Sequence, residues 1–361
     1  CLMPKAPVIL FVPVSSEEGI GEYMRSKIVA DAIVARWPDA HIEFVLNSFA
    51  PYANACPYPA HLVNDTPTKR IKEVNQLVTR LKPDLVIFDA AGRKAQLKHA
   101  YNCGAKVVFV SQHRRKRARG MKIERALVTH SHWVVQPEFV IGDITAFDKF
   151  KLNLIKRPLP IFTGSIFAKP DQQRLQQLQA HYGIKPGQYL VYSSGSGGHK
   201  VGADYAADIF VHTAANVFKL TGIPSLMVYG PNYPKALPEM EGVIAIPALS
   251  SIDFISLLSQ AQAAVLSGGD TLLQAIALNI PTLAVAVSKD QPSRIKQCVQ
   301  HQLVLGCDIN VKDMSHTASL LVDVGTRQKL IDEMQQQGDA EGLDICMAEI
   351  TRLLGETVNN V

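Results

Sequence analysis

The sequence is poor in the features that would tie it to a structural metal, a membrane span or a disulfide framework. Its six cysteines, Cys1, Cys56, Cys103, Cys298, Cys307 and Cys346, are scattered over 361 residues with no CxxC and no Cys/His cluster. That spacing argues against zinc and against a stapled scaffold, and fits reduced thiols in a cytoplasmic protein. No stretch supplies the ~20 consecutive apolar residues that a transmembrane helix requires. The opening CLMPKAPVILFVPV is a short apolar run interrupted by Pro4, Pro7 and Pro13. It reads as a buried first strand rather than a secretory signal. Walker A loops, Asp-x-Asp elements, heptads and internal repeats are also missing.

What is present describes a globular α/β chain. Hydrophobic residues make up 47% and charged residues 19%, with a net charge of +5 and a pI near 8.8. A chain of this length exceeds one ordinary core, so two domains are expected. In the first half PVILFVPV, IEFVLN, LVIFD and KVVFVS are continuous apolar runs of the kind that strands buried on both faces need. MRSKIVADAIVARW, IKEVNQLVTRLKP and AQLKHAYNCG are helical between them, and THSHWVVQP is one further strand. The second half repeats the scheme with QYLVYSS, SLMVYG, VIAIPA, AAVLS and PTLAVAV. The repeated strand–helix–strand units predict two doubly wound parallel sheets, one in residues 1–160 and one in 161–361. RPLPIFTGSIFAKPD separates them as a hinge candidate. GLDICMAEITRLLGETV is expected as an amphipathic helix returning to the first domain.

Three strand-to-helix junctions are rich in glycine: GIGEYMR (Gly19, Gly21), SGSGGHK (Gly195, Gly197, Gly198) and SGGDTLLQ (Gly268, Gly269). A helix N-terminus offers free amides and partial positive charge, and glycine lets an anion approach them, so phosphate binds there. The same glycines also permit tight turns with no ligand, and any one such pattern is weak by itself. The first junction lacks the full dinucleotide fingerprint and an acidic partner for a ribose, which argues against NAD.

From SGSGGHK onward the chain resembles the donor domain of GT-B glycosyltransferases. The nearest analogy is the enzyme that adds N-acetylglucosamine to a lipid-linked peptidoglycan precursor. LVYSSGSGGHK looks like that family's first donor loop, and AAVLSGGDTLLQAIALNIPTLAVAVSKDQPSRIKQC is similar to its signature stretch. GIGEYMR looks like the Gly-x-Gly-His-x-x-Arg loop of UDP-sugar hydrolases of pseudaminic acid synthesis. Two positions depart from these patterns: Glu22 stands where that hydrolase loop has histidine, and Gln274 where a ribose-binding glutamate is common. The resemblance implies two Rossmann-like domains facing a cleft. It also implies transfer of a sugar from a nucleotide-sugar donor to a hydroxyl acceptor of a bacterial surface glycan or lipid-linked precursor. UDP is the favoured nucleotide, as substrate and not cofactor, and the enzyme is expected in the cytoplasm or at the inner face of the plasma membrane. A nucleotide-sugar hydrolase or epimerase, or a non-catalytic binding protein of the same fold, remains the alternative.

Transfer of this kind needs a base for the acceptor hydroxyl and donors for the leaving diphosphate. Glu22 is the first candidate base, Glu18 the second and Asp89, at the end of LVIFD, the third. Glu22 also suits a helix first turn with no catalytic role. Arg25 holds the first loop, meets a phosphate, or has an ordinary surface role. Ser194, Gly195, Ser196, Gly197 and Gly198 are expected to present amides to phosphate. Ser267, Gly268, Gly269, Asp270 and Thr271 are expected as the facing wall, with Gln274 on the ribose. His199 pairs with phosphate or stays in solvent, and Asp270 touches sugar hydroxyls or caps its helix. Arg294 and Lys289 are candidate phosphate or sugar contacts from the SKDQPSR loop. No metal is expected.

The run HRRKRARGMK, with Arg114, Arg115, Lys116, Arg117, Arg119 and Lys122, follows a strand end. It reads as a solvated loop, or as a contact for a phosphorylated acceptor or an anionic membrane surface. Nucleic acid is the weaker use, because no aromatic residue interleaves with the cations.

Overall fold

The structure, a computed structural model, describes residues 6–17, 20–337 and 342–358, with side chains through 355. It divides into two compact units, residues 1–167 with 341–361, and 168–340.

The first unit is built on seven parallel strands: β1 (Val8–Pro13), β2 (His41–Asn47), β3 (Ala60–Val63), β4 (Leu85–Asp89), β5 (Lys106–Ser111), β6 (Ser131–Val134) and β7 (Ile161–Phe162). Their order is β3-β2-β1-β4-β5-β6-β7. The central strands are apolar on both faces because helices cover both: Ile9 and Phe11 face one core cluster, Leu10 and Val12 the other. The terminal helix Gly342–Val358 belongs to this unit. Leu343, Cys346, Ile350 and Leu353 enter the first cluster beside Val29 and Ile33 of the Gly21–Arg36 helix. The Ser131 hydroxyl donates to Glu349 at 2.7 Å.

The second unit carries β8 (Leu190–Ser193), β11 (Ser225–Val228), β12 (Val243–Ile246), β13 (Ala263–Ser267), β14 (Thr282–Val285) and β15 (Leu305–Gly306) in the order β12-β11-β8-β13-β14-β15, again all parallel. A small antiparallel pair, β9 (Lys200–Val201) with β10 (Asp204–Tyr205), stands apart from that sheet.

Two expectations need correction. The boundary lies between Phe167 and Ala168, not at residue 160, because Ile161–Phe162 pairs with β6 as the last strand of the first sheet. The glycines of SGSGGHK do not lead directly into a helix. The β9–β10 pair intervenes, and the helix begins at Ala206.

Candidate functional site

In an open parallel sheet, ligands collect where the strand order reverses, beyond the carboxyl ends of the strands. Each unit has one such crevice, between β1 and β4 and between β8 and β13.

In the second unit the crevice is edged by residues 194–199 and 267–271. Its surface is mostly backbone and hydroxyl, with His199 and the exposed Asp270 as its titratable side chains. A Cβ at Gly195 would stand 3.6 Å from the Ser267 hydroxyl, so the two loops lie side by side at Ser267. The Ser194 Oγ is buried without a hydrogen-bond partner. Gly269 is the N-cap of the Asp270–Ala277 helix, and with no side chain it leaves the first-turn amides uncapped. Asp270 is therefore a first-turn residue and not the cap that one sequence reading gave it; its side chain is largely exposed. Thr271 and Gln274 lie on the same helix, both half-buried.

The glycines differ in what they do. Gly197 adopts φ 90°, and a Cβ there would meet the Tyr229 carbonyl at 2.4 Å. Gly230, at φ 95°, would meet the Ser196 carbonyl group at the same distance. The Asn232 amide donates to the Ser196 carbonyl at 2.8 Å. Gly197 is thus required by backbone interlocking, whereas Gly195, at φ 103°, faces open space apart from Ser267. The Gly268 amide is not available as an expected anion donor: it donates to Gln291 Oε1 at 3.1 Å, which also accepts from the Val287 amide at 3.0 Å. Gln291 is the residue that sequence reading missed here.

The Ala206–Thr221 helix has its N-terminus filled from within the chain. Asp208 accepts from the Tyr205 amide at 3.0 Å, from Tyr233 at 2.5 Å and from Lys235 at 3.0 Å. Burial alone would raise its carboxyl, but these bonds outweigh burial and hold it below the ordinary range. His199 is half-buried and near enough to Asp290 to perturb it. Arg294 lies within the Gln291–Gln300 helix rather than in a loop, and donates to the Gly268 carbonyl at 3.2 Å. Lys289 is exposed.

In the first unit the crevice ends on charge. Arg25 donates from Nε and Nη2 to both oxygens of Asp89, at 2.8 and 2.7 Å. Burial raises the Asp89 carboxyl above its usual range despite Arg25, and Glu22 pushes the same way. Glu22 is half-buried in the first turn of the Gly21–Arg36 helix. Two of the three candidate bases are thus neighbours, while Glu18 lies outside the described residues, as does Gly19. Ala90, the residue after Asp89, adopts φ 53°, a left-handed backbone where β4 ends.

The basic run is not a solvated loop. Arg114–Gly120 is a helix packed beside β5. Arg114 donates to the Ile141 carbonyl and Arg117 to the Gly142 carbonyl, both at 2.6 Å; Lys116 donates to the Ala90 carbonyl. Arg117 is 7% exposed, so the run as a whole does not present one cationic face. Arg115 and Arg119 are exposed. Carbonyls left over at a chain reversal explain why these cations turn inward. Among the described residues no group of His, Cys, Asp or Glu could hold a metal, and no helix is long and apolar enough to cross a membrane.

Two parallel-sheet α/β units of seven and six strands define the GT-B fold, which solved structures share. The kitacinnamycin glycosyltransferase matches with a TM-score of 0.65 at 16% identity, over 97% of this chain and 100% of that one. UGT2 of Phytolacca americana, complexed with UDP-2-fluoro-glucose and pterostilbene, matches at 0.61 and 13%, over 94% and 95%. A Listeria monocytogenes protein assigned as a UDP-N-acetylglucosamine 2-epimerase matches at 0.59 and 13%, over 97% of each chain. At these identities the likeness establishes the fold. No family model matches the sequence, and no curated protein matches it.

Proposed function

We propose that the protein is a glycosyltransferase that takes a sugar from a nucleotide-sugar donor, with UDP the favoured nucleotide, and passes it to a hydroxyl acceptor. The acceptor belongs to a surface glycan or a lipid-linked precursor. The observation that carries this reading is the second unit's crevice: two glycine-bearing loops side by side at Ser267, a buried Ser194 hydroxyl without a partner, and an uncapped helix start at Gly269. Such an edge neutralises a diphosphate through amides and hydroxyls without needing a metal. The matching structures named as glycosyltransferases, one of them holding a UDP-sugar analogue, support it.

In the transfer, Ser194, Gly195, Ser196, Gly198 and His199 meet the diphosphate from one side. Gly269, Asp270 and Thr271 meet it from the other, with Ser267 between. Gln274 bonds a ribose hydroxyl, and Arg294 adds a cation near the departing phosphate. Glu22 takes the proton of the acceptor hydroxyl as its oxygen attacks the anomeric carbon. Asp89, engaged on both oxygens by Arg25, serves better to hold Arg25 than to move a proton. The protein works in the cytoplasm or at the inner face of the plasma membrane.

The test is turnover of UDP-sugars with and without an acceptor, together with a thermal-shift screen of UDP, GDP, CMP, ADP and dTDP. Glu22→Gln is expected to lower kcat by about 100-fold or more while the UDP shift persists. Release of free sugar without acceptor, at the full turnover rate, would replace transfer by hydrolysis. The likeness to the protein assigned as an epimerase is the observation behind the second reading, acceptor-free conversion of the nucleotide-sugar by epimerisation or hydrolysis.

A further inference from the structure

The first unit contains a cavity of about 510 Å³ between the residues that follow β4 and the two short helices that follow β5. Arg93, Lys94, Lys116, Arg119, Lys122 and Arg125 line it, against a single carboxylate, Glu124. Two of these cations brace the chain. Lys116 donates to the Ala90 carbonyl, and Arg125 donates to the Gly92 carbonyl at 2.9 Å. Lys94 pairs with Glu124 at 2.8 Å. Arg93, Arg119 and Lys122 have no ion pair among the described residues, and all three are exposed. The Thr68 Oγ1, on the same lining, is buried without a partner. The Lys94–Asn102 helix begins at this wall, capped by Arg93 and Gln96, and its dipole adds to the same sign.

Like charges held together with too few counter-charges disfavour their own charged forms. Lys116 is drawn below the ordinary lysine range, by burial first and then by Arg119. Arg125 is lowered by burial, then by Arg119 and Arg93. An entering anion relieves this strain, and a recessed cationic wall concentrates field lines on it. Three guanidinium forks favour the tetrahedral oxygens of phosphate, which accept paired hydrogen bonds. The volume exceeds a lone phosphate and suits an organic ester. Phe109 is the one aromatic among the residues that line it, and at 3% exposure it offers no stacking face for a nucleobase.

We propose that this cavity is a phosphate-binding site for the phosphate or diphosphate group of an organic ester. Resting on the transferase reading above, that ester is the acceptor. The backbone of the site is continuous with Asp89 through Ala90, whose carbonyl Lys116 holds, so a bound phosphate anchors the acceptor beside Asp89 and Glu22.

The experiment is calorimetric titration of the full chain with inorganic pyrophosphate, with saturating UDP added to occupy the second unit. One saturable site is expected. Arg119→Gln with Lys122→Gln should weaken it about tenfold or more, since two charge-assisted bonds are lost. Lys185→Gln with Lys219→Gln removes equal charge from the second unit and should change nothing. Equal losses in both double variants, or no binding by the unaltered protein, would overturn the site. Sedimentation with phosphatidylcholine vesicles, with and without phosphatidic acid, separates the sources of the phosphate. Loss of pyrophosphate binding alone in the Arg119/Lys122 variant marks a soluble ester, and loss of both marks a lipid-linked one. Loss of vesicle binding alone marks a surface patch and overturns the cavity. If UDP binds no form of the protein, the transferase reading falls, while titration without UDP still decides the anion site.

Discussion

In the first unit the crevice between β1 and β4 ends on Arg25 paired with buried Asp89, with Glu22 and Lys116 near enough to perturb them. In the second unit the crevice between β8 and β13 ends mainly on glycine backbone, serine hydroxyls and the carboxamide of Gln291, with the Arg294–Asp270 pair at its rim. The strand order around the two crevices is the same. What differs is the chemistry at the strand tips, and the roles proposed above follow that difference. Fixed charge suits proton transfer and anchoring of a charged group. Neutral amides suit a diphosphate that must arrive and leave.

The contrast breaks most severely at Arg25. Arg25→Met strands the Asp89 carboxylate in a site where it is 2% exposed, and should cost about 3–5 kcal/mol of stability in urea unfolding. Adding Asp89→Asn should recover much of that cost. Equal losses in the single and double variants would mean that the pair contributes nothing as a pair.

On the neutral side the corresponding break is Gly230→Ala. It sets a Cβ 2.4 Å from the Ser196 carbonyl group at φ 95°, and should cost roughly 3 kcal/mol or more. Gly195→Ala, with the same sign of φ but open space, should cost only about 1–2 kcal/mol. The two variants sharpen the distinction between a glycine that packs and a glycine that leaves room for a ligand. Gly195→Ala should reduce the UDP-induced thermal shift by more than its own destabilisation explains. A full UDP shift in that variant would remove Gly195 from the donor site.

A further test separates the charged unit by pH. His132 is fully buried, bonded to Ser111 at 2.7 Å, and burial lowers its pKa to about 3. The unfolded chain binds this proton below about 6.5, so stability is complete above that pH and falls as pH drops toward 3. The slope from this group approaches about 1.4 kcal/mol per pH unit. Urea unfolding between pH 7.5 and 4.5 measures it, and His132→Asn should flatten it. An unchanged slope in that variant would place the acid sensitivity elsewhere.

Much of this fold is legible in the sequence, because strands buried on both faces leave uninterrupted runs such as VILFVP and LVIFD. β3, β7 and β15 are edge strands or short pieces with mixed burial, and they leave no such trace. SGSGGHK reads as a loop, but its sequence does not reveal that Lys200–Tyr205 forms a small hairpin before the helix. The basic run is misread for a related reason. A string of arginines looks solvated until unpaired carbonyls at Ala90, Ile141 and Gly142 draw three of the cations inward. The glycines stand out by type, yet only the three-dimensional neighbours distinguish Gly197, locked against Tyr229, from Gly195. Gln291 has no sequence signature, because its role depends on two amides that converge on one oxygen from different loops.

Gln291→Ala tests that convergence. It leaves the Gly268 and Val287 amides without an acceptor in a buried setting, at a cost of about 1–3 kcal/mol. The loss falls on the loop and not on the core, because a Cβ remains at residue 291, and Ile295 still packs against Gly268. Ser267 and Gly269 flank Gly268, so a loosened turn should weaken UDP binding beyond the change in stability. The pyrophosphate response of the first unit, measured with the same protein, should stay intact. Parallel loss of both responses would show that the two sites share a cause such as partial unfolding, and would dissolve the contrast between a charged and a neutral crevice. A stability unchanged from the native protein would mean that the two amides find another acceptor, leaving Gln291 no part in shaping the donor loop.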